Sequence, residues 1–198
     1  GESDWVLLGD FMGTAPAKDR EYFLTIVRLC ANLCVGANET TVPHIANVIP
    51  YEIACACVKA RNLPSQLRGA FCDILLHAFV DIAPHSEINY INLTRVWSDL
   101  TSKSSQPHVN FDINSNYDYS IIKRFVMQYI KANTVQVVNN ADENALTLTV
   151  LILLRKMFSF GFFYNLEEMC ELSLPLVHLL DGRTDVMTLT KGPQMSDG

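Results

Sequence analysis

Residues 62–81 read NLPSQLRGAFCDILLHAFVD, and the spacing within this stretch sets the fold class. Leu67, Phe71, Leu75 and Phe79 recur every four residues, with Ala70, Ile74 and Ala78 beside them. Recurrence at four is helical, because side chains at i and i+4 stack on one face. The pattern predicts one helix over 65–81, started at the Asn62-Leu63-Pro64 turn and ended by Pro84. The apolar arc is too wide for a helix with a single dry side, so neighbours are expected on more than one side.

The same period governs the flanking chain. Asp19 is read as the N-cap of a helix whose Phe23, Ile26, Val27, Cys30, Leu33 and Cys34 form one buried face. Short helices are expected over 42–49, closed by Pro50, over 51–60 and over 89–97. A longer one covers 119–138, with Ile122, Phe125, Val126, Tyr129 and Ile130 inward. Asp142 is read as the cap of a helix reaching Phe160 and closed by Gly161. A last helix spans 166–180, with Pro175 inside it as an expected kink and Gly182 after it. The only strand-like run, VQVV at 135–138, more simply ends the 119–138 helix. Helices joined by short turns predict an all-α fold, an armadillo-like solenoid segment; without a strict period the stack is expected to be irregular. The expected division is a flank with a short helix (1–17), a helical domain (18–183) with a polar loop at 101–118, and a tail (184–198).

Hydrophobic residues make up 49% of the 198 and charged ones 18%, enough to bury a sizeable core and to leave apolar surface for an interface. A net charge of −6 argues against a nucleic-acid partner and an anionic membrane surface. The longest uncharged apolar run, 145–154, stops at Arg155-Lys156. It is shorter than the ~20 residues a membrane span needs, so no direct insertion by this segment is expected. Trp5-Val6-Leu7-Leu8 is too short for a signal peptide, and Gly1 is read as a scar on an excised piece of a longer protein.

The opening stretch also holds thiol-hydrolase and metal-site residue types in Cys72, Asp73, His77 and Asp81. Cys72 and His77, five apart, point about 140° from each other on an α-helix and cannot share a proton. Asp73 and His77 share a face, which allows a hydrogen bond or half a metal site, but no third ligand has useful spacing. Cys30 and Cys34 could hold half a zinc site, Cys55 and Cys57 diverge, and no CxxC occurs. All six cysteines, Cys170 included, are read as buried free thiols of a reducing compartment, set in apolar helical stretches. No glycine-rich phosphate loop is present, and the basic residues are dispersed over many helices. Lys123-Arg124 and Arg155-Lys156 are read as solvated faces, and Glu167, Glu168 and Glu171 as carboxylates favouring a helix N-terminus. The expectation is a protein that is not an enzyme, with no catalytic, cofactor-binding or metal residues and no cofactor.

NLPSQLRGAFCDILLHAFVD followed by NLTRVWSDL resembles the helical domain shared by inositol 1,4,5-trisphosphate receptors and ryanodine receptors, and the former more closely. The resemblance rests on Leu63-Pro64, Leu67-Arg68-Gly69-Ala70-Phe71-Cys72, His77, Val80-Asp81 and Arg95-Val96-Trp97-Ser98, in that order. FLTIVRLCANLCVG upstream and FSFGFFYNLEEMCELSLPLVHLLDG downstream are similar to family helices, so the likeness runs over roughly 18–182. Departures at Phe79, Ile82 and Ala83, in the 101–118 loop, within Phe162-Phe163-Tyr164 and at Pro175 mark a divergent member. The resemblance implies a cytosolic segment of a tetrameric calcium-release channel, at the endoplasmic reticulum or another intracellular store. It would lie between the ligand-binding region and the pore. Its implied partners are other domains and subunits of the same channel. A free-standing helical-repeat adaptor would use the same fold, and the length of the full reading frame separates the two.

Overall fold

The structure, a computed structural model, describes residues 6–83, 85, 117–134 and 140–181. Every regular element among the described residues is helical: α1 (Leu8–Thr14), α2 (Ala17–Leu33), α3 (Thr41–Val48), α4 (Tyr51–Lys59), α5 (Ser65–Ile74), α6 (Ser120–Ala132), α7 (Ala141–Ser159) and α8 (Leu166–Asp181). A π-helical segment, Leu75–Val80, continues α5. The expected helix at 89–97, the loop over 101–116, the VQVV run and the tail lie outside the described residues.

The α5 helix is the hub. It packs on α2, α4 and α7, while α6 packs on α8 and α4. Between Leu67 and Val80 only Asp73 and His77 keep part of their surface exposed. The wide apolar arc therefore does what its width implies: the helix is enclosed by neighbours. Even Arg68 is buried there, its Nε donating to the Val58 carbonyl at 3.0 Å. Val58 O is one of the last carbonyls of α4, which the helix itself leaves unpaired, so Arg68 caps α4 from inside the core.

The continuous α-helix expected over 65–81 is corrected at its second half. From Leu75 the backbone widens into π geometry, and Asp81 N donates to Leu76 O at 2.7 Å, five residues back. Side chains from elsewhere receive the carbonyls at this end. The Tyr119 hydroxyl donates to Phe79 O at 2.6 Å, and Nδ1 of His85 meets Val80 O at 2.8 Å. Tyr119 and Phe79 belong with Tyr51, Tyr117, His85, Phe160 and Phe162 to one aromatic cluster, with ring centroids 4.8–6.3 Å apart in its contacting pairs. Tyr117, assigned by sequence to the polar loop, is thus part of the core margin.

Several boundaries shift for local reasons. The α2 helix begins at Ala17 behind Pro16, with Asp19 inside its first turn. The N-cap of α7 is Asn140, whose side chain accepts from Glu143 N, and Asp142 stands in the first turn. The α6 helix stops at Ala132, where the Asn133 amide bonds Tyr129 O at 2.7 Å, short of the expected 138. At the end of α7, Gly161 takes φ +76° and Phe162 N reaches back to Met157 O at 2.9 Å, a left-handed closure that favours glycine. The α8 helix runs on through Pro175 to Asp181.

Candidate functional site

The four chemically suggestive residues of the opening stretch do not form a site. Cys72 is fully buried, and burial pushes its thiol far above the ordinary range, with Asp73 adding to the rise. Such a thiol stays protonated and is a poor nucleophile. Asp73 is partly buried and raised to about 6 by desolvation, which Arg28 only partly offsets. Burial lowers the His77 pKa against the opposing pull of Asp81, and its Nδ1 is buried without a hydrogen-bond partner among the described residues. The Asp73–His77 hydrogen bond that the four-residue spacing allowed is not formed; the helix changes from α to π geometry between the two. Asp81 is paired with Lys156 at 3.3 Å.

The six cysteines are free, but their burial differs from expectation. Cys34, Cys55 and Cys72 are buried, Cys30 and Cys57 half-buried, and Cys170 exposed. No group of three or more His, Cys, Asp or Glu that could hold a metal ion occurs among the described residues. Nor is any described helix long and apolar enough to cross a membrane.

The charged pairs divide between packing and solvent. Lys123 pairs with Glu168 at 2.7 Å and lies over the Phe163 and Tyr164 rings at 5.2 and 5.5 Å. Lys131 pairs with Glu171 at 2.7 Å, so two ion pairs tie α6 to α8. Lys123, and Lys156 with its ammonium 4.9 Å from the centre of the Phe160 ring, are packed cations rather than the solvated faces expected, whereas Arg124 and Arg155 are exposed. Glu168 and Glu171 act across the helix pair as well as on the start of α8, where Asn165 Oδ1 accepts from Glu167 N at 3.0 Å.

Two surface features outweigh these residues. The first is an outward apolar stripe on each of α2 and α8. The inward face of α2 and its C-cap is Leu24, Val27, Ala31 and Cys34, with Phe23 and Cys30 half-buried beside it; of the six residues expected there, Ile26 and Leu33 are instead exposed. Tyr22, Ile26, Leu29 and Leu33 are 69%, 39%, 54% and 45% exposed and lie nearly opposite that face on the helical wheel. On α8, Leu172 and Leu179 point inward, while Leu166, Leu174 and Val177 are 60–72% exposed on the far side. Both helices are thus apolar on two opposite faces, a pattern suited to a helix covered from both sides. Sequence reading merged the two faces of α2 into one, because an arc that wide satisfies three-four spacing for either.

The second feature is a cavity of about 440 Å³ lined by Lys59, Arg61, Arg68, Phe125, Tyr129 and Glu143, among others. The expected dispersal of basic residues fails here, because three of them converge from α4, the α4–α5 turn and α5. Their approach depends on the Arg68 capping bond and the tightness of the turn, neither of which has a period in the sequence.

Comparison with known proteins adds a loose relationship. No protein-family model matches the chain. Over 94 residues, 48% of the chain, it is 28% identical to inositol 1,4,5-trisphosphate receptor-like protein A of Dictyostelium discoideum. The matched stretch is 3% of that protein, so the chain corresponds to a small part of a much longer relative. This is a loose relationship to a receptor-like protein, in keeping with the resemblance carried by the 62–81 stretch.

Proposed function

We propose that the chain is an armadillo-like scaffold segment of an inositol trisphosphate-gated calcium-release channel, relaying conformational change between a ligand-binding region and the pore. The observation that carries this reading is the pair of outward apolar stripes on α2 and α8. A slice of a continuous helical stack needs apolar surface at both of its ends, where the preceding and following helices dock. The similarity to an inositol 1,4,5-trisphosphate receptor-like protein supports this reading. In that setting the segment works at the cytosolic face of the endoplasmic reticulum or a comparable store. It contacts other domains and subunits of a tetramer and catalyses nothing. The buried, protonated Cys72 and the ion-paired Asp81 support a packing role for the 62–81 stretch.

The test is calcium release by the full-length protein carrying Ile26→Glu and Leu29→Glu, two exposed positions on the α2 stripe. Ligand-evoked release should fall while ligand binding by the N-terminal region is kept. Unchanged release would remove the stripe from the signalling path. A complete reading frame without apolar spans would replace the channel by a helical-repeat adaptor.

A further inference from the structure

We propose that the cavity between α4, α5, α6 and α7 binds the phosphoryl group of a small phosphorylated molecule. Arg68 is nine-tenths buried, and its Nε is fixed by the Val58 carbonyl at 3.0 Å. The other guanidinium N–H groups have no hydrogen-bond partner among the described residues and belong to the cavity lining. Lys59 and Arg61 line the same cavity, are exposed, and pair with no carboxylate among the described residues. Glu143 is the one carboxylate among the described residues of the lining, and it already accepts the Ser65 hydroxyl. Three cations against one engaged carboxylate leave a local positive excess in a chain whose net charge is −6.

That excess selects a multiply charged oxyanion. A guanidinium whose side chain is already anchored loses little freedom on binding and matches phosphate geometry with paired donors. Lys59 and Arg61 add mobile charge from the α4–α5 turn. The volume of about 440 Å³ is within the range of small-molecule sites, and a bare phosphate would leave most of it unfilled. Phe125 and Tyr129, both buried on α6, offer aromatic surface to the rest of such a ligand. Because the lining comes from four helices, an occupant would bridge the α4–α5 turn to α6 and α7. The site depends on this geometry and stands whether or not the chain belongs to a channel.

Sodium pyrophosphate, without divalent metal, is the probe, titrated calorimetrically at constant ionic strength into the 198-residue chain. Three proteins are compared: the native chain, Lys59→Gln/Arg61→Gln, and Arg124→Gln/Arg155→Gln, which loses the same charge at exposed positions outside the cavity. The expected result is saturable one-to-one binding, weakened at least ~10-fold by the first double variant and less than ~2-fold by the second. Thermal unfolding without ligand checks that both variants are folded. Absence of saturable heat up to about 10 mM pyrophosphate, or equal weakening in both variants, overturns the proposal.

Discussion

Phe71→Ala tests whether α5 is the enclosed hub. The ring is 4% exposed, so truncation forfeits nearly the whole transfer free energy of the side chain, about 1.5–3 kcal/mol. It also opens a void on the order of 100 Å³, and at about 24 cal/mol per Å³ the unrelaxed part of that void adds up to ~2 kcal/mol. The sum, about 3–5 kcal/mol, is a large share of the ~5–15 kcal/mol by which domains are stable. Neighbours α2, α4 and α7 are each braced on α5 and cannot all move inward to fill the gap. Urea unfolding followed by far-ultraviolet circular dichroism reads the effect. With a slope of ~2 kcal/mol per M, the midpoint should fall by about 1.5–2.5 M at unchanged slope. A loss below ~0.5 kcal/mol would place α5 at the surface and refute the architecture.

Gly69→Ala should stabilise the chain. A Cβ at this mid-helix position would meet nothing closer than Thr149 Oγ1 at 4.0 Å, and exchanging glycine for alanine within a helix gains about 0.5–1 kcal/mol, measured as a higher thermal midpoint. Asp73→Asn should stabilise it in a pH-dependent way. Burial raises the folded-state pKa to about 6 from 3.8, so the folded protein holds a proton that the unfolded chain has released. The native carboxyl therefore favours folding below about pH 4 and loses that contribution as pH rises through 6. The variant should be more stable by about 1 kcal/mol near neutral pH, allowing for solvent screening, and the difference should vanish in acid. Identical denaturation curves for the two proteins at both pH values would show that Asp73 is solvated.

The parts of the fold that were legible in sequence are those with a period. The apolar spacing in 65–81, Pro50, Pro64 and Gly161 located most helices to within a residue or two. The errors have particular causes. Asn140 took the capping role assigned to Asp142, since either side chain can accept a helix-start N–H. The two faces of α2 could not be separated, because exposure depends on what packs outside. Lys123 and Lys156 were misplaced for the opposite reason: a long apolar stem lets a charged residue lie over aromatic rings while its ammonium reaches a carboxylate. Convergence of Lys59, Arg61 and Arg68 is a tertiary fact, and only the Lys59–Arg61 proximity was visible along the chain.

The π-helical turn at Leu75–Val80 has an evolutionary consequence. Such a turn accommodates one residue more than the α-helix it interrupts. Loss of a single residue elsewhere in 65–80 would rotate every later side chain by about 100° and carry buried groups into solvent. Loss within 75–80 would instead let the backbone tighten to α geometry and keep Asp81 and His85 near their present anchors. This segment is therefore where a lineage can change the length of its central helix by one residue without rebuilding the core. Length variation among relatives should fall here, and its concentration within 65–74 would contradict the idea.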